Sequence, residues 1–572
     1  MSAVGGTLAS KLEYRAPLAL AIGVLALFIV VFVLAPLIAV LYRAVIAHDP
    51  QQGWHLTFAY IAKVVTDDLY WEALGNTLLV AGGAAALATF VGAMFGWIFA
   101  RTGTPGRSVL ESISQLPIFI PPFVGAVSWA LLSAPRSGIL NKLAAGAGLP
   151  ELFDAYTRIG MVFVIGIYLV PYVMMIVAAS LRSMDPSLEE AAQVSGLSVW
   201  QTARRVTMPL LAPSILSGAV LAFTIAIGLF GTPVVLGWSR QILMLTSRIW
   251  ISSQETPPDY GVMAVLAIYL LFLSSMAAAI QVRMLRGRAY TTVTGKGFRP
   301  RLVEIGAWRW VTFALAVLYL ILTIAAPIGV LFAAAMSKYT WSGSYSFATM
   351  IEYLTSDDVW FTMKNSIGIS VAAATIACCL GILVAWTVIR TRVRGRQMLE
   401  FLVLLPISVP GIAFGVGLML VWVNLPVPVY GTSLIIAIAF IGRFTAYAVR
   451  SVSASLVQIH PELEESARIC GFGAMRTFLR ITFPLVLPSV VAAWLLLFSF
   501  FMTELSMVVI LYTSENRTFS LLAFEAWNVG DFSRLAAYSL LQLAVGLLFL
   551  LLVNTMFRNR SVQRKPRLLS PN

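Results

Sequence analysis

The sequence predicts an all-α integral membrane protein of about twelve transmembrane helices, built as two pseudo-symmetric six-helix halves. Three observations carry this. Apolar runs of about 20 residues recur along the whole chain, the length a helix rising about 1.5 Å per residue needs to cross about 30 Å of hydrocarbon. Of the 572 residues, 59% are hydrophobic and 11% charged, for a mean hydropathy of +0.88. A polar segment lying between two apolar runs occurs a second time, later in the chain. β-Barrel strands would be half as long and alternate in polarity.

Taken in order, spans are expected at 17–42, 76–100, 112–133, 159–181, 211–236 and 261–283, then at 310–336, 365–389, 401–423, 433–456, 486–512 and 534–556. The first follows Lys11 and Arg15 and is too long for a signal-peptide core, so it reads as a retained span. The halves repeat residue by residue. Asn76 with Arg101-Thr102 matches Asn365 with Arg390-Thr391, and Gly92, Glu111, Pro117 and Pro121 match Gly381, Glu400, Pro406 and Pro410. A longer loop at 134–158 then shifts the register, which resumes afterwards. The expected division is 1–290 for the first half, 291–309 for a linker and 310–572 for the second half. Prolines inside spans, at Pro117, Pro121, Pro122, Pro171, Pro406 and Pro410, are expected to kink or break helices.

The net charge of +14 does not indicate nucleic acid, because the Lys and Arg residues sit in short loops between spans. They concentrate on the side that holds both termini, the linker and both copies of the repeated segment, so that side is expected to be cytoplasmic, with the N- and C-termini inside. The basic linker from Arg283 to Arg301 reads as a solvated tether touching lipid headgroups. On the other side, loops 43–75 and 337–364 each carry an Asp pair, Asp67-Asp68 and Asp357-Asp358, with Trp54, Trp71, Trp341 and Trp360 as interfacial anchors. Three scattered histidines show no ligand spacing, and three cysteines, two of them adjacent within a span, give no disulfide framework.

The repeated segment is EEAAQVSGLSVWQTARRVTMP from Glu189 and EESARICGFGAMRTFLRITFP from Glu464. Asp185-Pro186 and His460-Pro461 place a proline at a helix start, and Glu189, Glu190, Glu464 and Glu465 place carboxylates at its positive end. Ala191-Ala192 and Ser466-Ala467 leave room for another protein to approach closely. Gly196 and Gly471, six residues after Glu190 and Glu465, can supply the φ > 0 turn that ends the helix, and Pro209 and Pro484 follow at matched spacing. These residues resemble the EAA loop of ABC-importer permeases, through which a membrane subunit docks on its ATPase; the chain carries two, at 185–213 and 460–488.

Two charges lie deep in apolar runs, Arg443 and Glu504. A charge at mid-bilayer costs at least about 2.5–3.5 kcal/mol, so both are expected to face protein or water, either as pathway-lining groups or as a structural ion pair. The first half places Tyr168 and Leu229 at the corresponding positions, whereas Tyr172 and Tyr447 correspond. Arg443, Glu504, Ser506, Tyr168, Tyr172 and Tyr447 are therefore the pathway candidates, with the polar chemistry coming chiefly from the second half.

With its two EAA segments, VTGKGFRPR in the linker, ELS at Glu504–Ser506 and FGTPVVLG from Phe230, the whole chain resembles the fused two-half permeases of ferric-iron type ABC importers. Leu229 departs from the acidic residue often found just before FGTPVVLG in that group. The resemblance implies a type I importer fold in a bacterial inner membrane, a periplasmic or lipid-anchored binding protein, and two copies of a cytoplasmic ATPase that uses ATP and Mg. The chain has no GxxxxGK[ST] loop of its own, so it is expected to be a transport subunit, not an enzyme, and to bind no cofactor. Ferric iron is the substrate the resemblance favours, although similar permeases handle organophosphonates, phosphorylated sugars or thiamine, and no Asp/Tyr/His cage in the spans marks a metal. An ion-coupled secondary transporter is the competing class, but it should show a relay of buried carboxylates, of which only Glu504 qualifies.

Overall fold

The computed structural model describes residues 22–49, 51, 53–185, 187–285, 302–339 and 344–562. Among these, ten helices are long and apolar enough to cross a membrane: Ile22–Val45, Asp68–Arg101, Arg158–Ser183, Trp200–Gly228, Tyr260–Met284, Trp308–Ala335, Asp357–Arg390, Ser433–Gln458, Met475–Thr503 and Phe532–Phe549. Two helix pairs, Arg107–Phe119 with Pro122–Ser133 and Arg396–Ser408 with Gly411–Trp422, bring the number to twelve if each is one span. The Asp pairs of loops 43–75 and 337–364 serve helix starts: Asp67 accepts the Leu69 N–H at 2.9 Å, and Asp357 and Asp358 open the eighth span. Trp341 lies outside the described residues.

The third and ninth spans, where the sequence placed helix-kinking or helix-breaking prolines, are broken. Their two parts meet at 98° and 110°. Ile120 and Val409 precede prolines, whose ring atoms disfavour the helical conformation for the residue before them, and both are extended, with ψ of 118° and 126°. Pro121 and Pro410 are extended as well. Pro171, by contrast, leaves Arg158–Ser183 unbroken. The fifth and eleventh spans also stop short of their expected ends, at Gly228 and Thr503, because Leu229 and Glu504 turn extended.

Irregular backbone at membrane depth needs partners within the protein. The two halves supply them in the same way. Asn76 Nδ2 donates to the Leu243 carbonyl at 3.1 Å and Thr77 Oγ1 accepts the Leu245 N–H at 2.9 Å. In the second half, Asn365 donates to the Arg517 carbonyl at 2.8 Å and Ser366 accepts the Phe519 N–H at 2.7 Å. The second and eighth spans thus hold the chain that returns after the fifth and eleventh. Close helix crossings repeat too. A Cβ on Gly92 would lie 2.9 Å from the Val170 carbonyl oxygen, and one on Gly381 would lie 2.5 Å from the Ala448 Cβ.

The compact units follow a different division from the sequence halves. One unit comprises residues 1–46, 357–522 and 544–572, the other 47–356 and 523–543. The first span therefore groups with the second half, where Gly417 leaves room for the Pro36 carbonyl, and the seventh span groups with the first half. There Tyr319 and Ala316 join Phe95, Ile98, Phe99, Leu110, Val170 and Met174 in one buried cluster. Linker residues 286–301 lie outside the described residues. The described residues that follow do not behave as a tether: the Val303 N–H donates to the Arg101 carbonyl at 2.7 Å, and Thr104 hydrogen-bonds Thr312 at 2.7 Å.

Overpacking a tight crossing costs about 1–3 kcal/mol. Gly381→Val is expected to lower the melting temperature of the detergent-purified chain, whereas Gly368→Val, on the same helix with open space around it, should leave it unchanged. Equal melting of the two variants would refute the crossing as a packing constraint.

Candidate functional site

Each EAA segment begins with an eight-residue helix, Ser187–Val194 and Glu462–Ile469. Pro461 stands just before the second helix and accepts the Glu464 and Glu465 N–H groups, while Pro186 lies outside the described residues. Both helices end alike. Gly196 and Gly471 have φ of +87° and +82°, and the next residue's N–H returns to the helix, Leu197 to the Ala192 carbonyl at 3.2 Å and Phe472 to that of Ala467 at 3.0 Å. An L-residue in this left-handed conformation costs about 1–2 kcal/mol.

A π-helical turn follows in each copy, Ala203–Thr207 and Phe478–Thr482, just ahead of Pro209 and Pro484. Proline cannot donate to the carbonyl four residues back, so the ladder slips by one residue: the Met208 N–H bonds the Ala203 carbonyl, and Phe483 that of Phe478. Glu190 and Glu465 are exposed, as are Ala191, Ser466, Pro209 and Pro484; Ala192 is half-buried and Ala467 buried.

Glu189 and Glu464, read from the sequence only as helix-start charges, are the anchors of these segments. The Glu464 carboxylate is held by Arg390 Nε at 3.1 Å and the Thr482 hydroxyl at 2.9 Å. Arg390 Nη2 also donates to the Leu456 and Ile459 carbonyls at 3.0 and 2.7 Å. The Glu189 carboxylate is held by Arg101 Nε at 3.3 Å and the Thr207 hydroxyl at 2.7 Å. Arg101 is 2% exposed and its Nη2 finds no acceptor among the described residues, so the first clasp is less complete than the second. The signal was present in the sequence: Arg101 and Arg390 recur at one separation from Asn76 and Asn365, but nothing in that spacing said what they touch.

Outward from the clasps, each segment exposes a matched apolar triplet, Leu188, Val194 and Trp200 in the first and Leu463, Ile469 and Met475 in the second. Val194 and Ile469 are 89% and 87% exposed, far more than isolated apolar residues beside a buried anchor require.

The remaining candidates divide between the two units. Arg443 and Glu504 form an ion pair at 3.6 Å, both side chains largely buried. Glu504 caps the break after its helix, accepting the Met507 N–H at 3.2 Å, while its own carbonyl accepts the Ser520 hydroxyl at 2.7 Å. Arg443 Nε donates to the Val409 carbonyl at 3.2 Å, at the broken ninth span, and its guanidinium lies 5.0 Å from the Phe444 ring centre. A Cβ on Gly411 would sit 3.2 Å from both Arg443 Nη1 and the Ser506 Cβ, so Ser506 borders the same cluster. Tyr447 stacks on Phe444 and meets Phe500 one turn further on.

In the other unit Tyr168 differs from a route-lining residue: it is buried, its ring is packed where a side chain on Gly125 would be, and its hydroxyl donates to the Thr323 carbonyl at 3.3 Å. Burial leaves it bracing the broken third span. Tyr172 is half-buried.

Removing one member of a buried ion pair strands the other charge, at a cost of about 3–5 kcal/mol where the pair is hydrogen-bonded, as Arg390–Glu464 is, whereas Arg101 meets Glu189 by charge alone. Arg390→Ala is therefore expected to speed amide exchange across 462–482 while leaving 187–207 protected, and Arg101→Ala to do the reverse. Uniform exchange in both variants would show that the clasps do not hold the segments.

The family model for the binding-protein-dependent transport system inner membrane component matches twice, at 92–289 and 377–561, each match containing one EAA segment. The chain is 26% identical over 503 residues to a Haemophilus influenzae protein named as a ferric transport system permease, FbpB 1, covering 86% of this chain and 78% of that one. It is 25% identical to the ferric transport system permease protein FbpB of Actinobacillus pleuropneumoniae, covering 86% and 72%. The sulfate transport system permease protein CysT of Salmonella typhimurium is 28% identical over 280 residues, covering 48% of this chain and 95% of that one. With two matches that together span most of its length, this chain belongs to the family of binding-protein-dependent transport system inner membrane components, as a permease with both halves in one polypeptide.

Proposed function

We propose that this permease imports ferric iron, handed over by a periplasmic or lipid-anchored binding protein and driven by two copies of a cytoplasmic ATPase that bind ATP and Mg. The observation that carries the coupling is the duplicated EAA geometry: a short helix ended by a positive-φ glycine, a glutamate clasped from behind, and an exposed apolar triplet in front. Two such faces call for two copies of one partner surface. Ferric iron rests on the relatives named for ferric transport, which align along 86% of the chain; the sulfate permease aligns along 48%. The EAA segments and both termini lie on the cytoplasmic side of a bacterial inner membrane in this reading, supported by the concentration of Lys and Arg there.

The Arg443–Glu504 pair serves the route. It stands at two broken helices, where backbone groups are already satisfied by side chains and water can enter without further loss. An arginine there favours a ferric ion passing with its anionic ligands over a bare cation, and Glu504 limits how tightly such a species is held.

Three experiments test the reading. An impermeant thiol reagent applied to intact cells should fail to label Ser187→Cys or Ser198→Cys; labelling would overturn the orientation. In proteoliposomes with the ATPase and loaded binding protein, Gly196→Val and Gly471→Val should each lose most of the stimulated ATP hydrolysis, and normal stimulation in both would show the glycines to be dispensable. Arg443→Gln and Glu504→Gln should each lower the melting temperature, because each strands a charge, and the double variant should regain most of it while ferric uptake stays lost. Uptake that returns together with melting in the double variant would leave the pair a helix-pairing contact and nothing more.

A further inference from the structure

One groove of about 470 Å³, contained in the unit built from the second half, belongs to neither the EAA segments nor the Arg443 cluster. Asp357, Trp360, Phe361, Lys364, Asn365 and Glu515 line it. Five of these lie in the first nine residues of the helix Asp357–Arg390. That helix has 34 residues, so it is about 51 Å long, against about 40–45 Å for a bilayer with its headgroups. Its far end is fixed by Arg390 to the second EAA segment. The groove therefore opens at headgroup level on the opposite face of the membrane.

The internal repeat shows that the groove is a vacated position. In the first half Arg158 fills the equivalent place, donating from Nε to Asn76 Oδ1 at 2.7 Å and reaching Glu72 at 3.4 Å. In the second half Ser433 stands for Arg158, Phe361 for Glu72 and Lys364 for Gly75, and only the short Ser433 hydroxyl reaches Asn365 Oδ1, at 3.0 Å. Lys364, Asp357 and Glu515 make no side-chain hydrogen bond or ion pair with any described residue, and Trp360 and Phe361 are about half exposed.

We propose that this groove binds a phosphoethanolamine zwitterion, presented by the headgroup of a membrane phospholipid. Two carboxylates and an aromatic face suit a primary ammonium, which can donate hydrogen bonds to both acids, and Lys364 suits the phosphate. With two acids to one base among the lining side chains, a net anionic headgroup is disfavoured. A quaternary ammonium has no N–H for the carboxylates. The inference rests on the chain spanning a membrane and not on which substrate it carries.

The test is native mass spectrometry of the full-length chain, released from mixed vesicles of phosphatidylethanolamine, phosphatidylcholine and phosphatidylglycerol. Phosphatidylethanolamine should be retained about tenfold over each of the others, a difference of about 1.4 kcal/mol. Lys364→Gln and Glu515→Gln should each erase that preference, and Ser433→Arg, which restores the first half's filled arrangement, should abolish retention without lowering the melting temperature. If Ser433→Arg does not insert, the two charge-neutralising variants decide alone. Displacement of the lipid by soluble glycerophosphoethanolamine would support the headgroup chemistry and make a soluble zwitterion an alternative source; retention that resists it would assign the site to intact lipid. Equal retention of the three lipids, retention unaltered in the variants, or loss of all lipid with the groove covered instead by the purified binding protein would overturn the proposal.

Discussion

The architecture depends on one constraint, that every backbone N–H and C=O at membrane depth must be satisfied by the protein itself. Unbroken helices meet it on their own. The chain breaks at Pro121, Pro410, Leu229 and Glu504, and there side chains take over: Thr232 on the Pro122 carbonyl and Thr246 on the Leu229 carbonyl in one half, Arg443 on the Val409 carbonyl and Ser520 on the Glu504 carbonyl in the other. Polar residues that look costly in an apolar span are there because the adjacent backbone is irregular. Where the first half satisfies its break with a Thr246 hydroxyl on the Leu229 carbonyl, the second uses Ser520 on Glu504 and adds a charged pair.

The same economy of partners shapes the EAA segments. A helix of eight residues has little stability of its own. It is held because a buried arginine at the end of the second or eighth span and a threonine at the start of the fifth or eleventh share Glu189 or Glu464. The anchoring side is then rigid while the opposite side, carrying the apolar triplet, is left free for a partner. The copies are not identical in detail. Arg390 satisfies two carbonyls besides Glu464, whereas the Arg101 backbone is instead paired with Val303, beyond the linker. The second segment is held by its own half, and the first also depends on the chain that leads into the seventh span.

Duplication also shows where the halves have been given different work. At the equivalent of the Arg443–Glu504 pair the first half has a buried tyrosine and a leucine, and at the equivalent of the open headgroup-level groove it has an arginine that closes the space. Because the surrounding backbone bonds repeat, these exchanges read as changes of side-chain chemistry on a common frame, not as changes of fold.

Periodic apolar runs, the internal repeat and the spacing of Glu190 to Gly196 and Glu465 to Gly471 determined the fold class, the span order and the positive-φ turns, since these depend on local backbone preference and on length against bilayer thickness. The sequence located the prolines but not the 98° and 110° turns, because a proline permits either a kink in a continuous helix, as at Pro171, or a full break, as at Pro121 and Pro410, and the choice is made by what neighbours can bond to the freed backbone. It could not show that Arg101 and Arg390 clasp Glu189 and Glu464, that Tyr168 is buried, or that the first span of each half groups with the other half. Those are contacts between residues far apart in the chain, and only tertiary packing brings them within hydrogen-bonding or van der Waals reach.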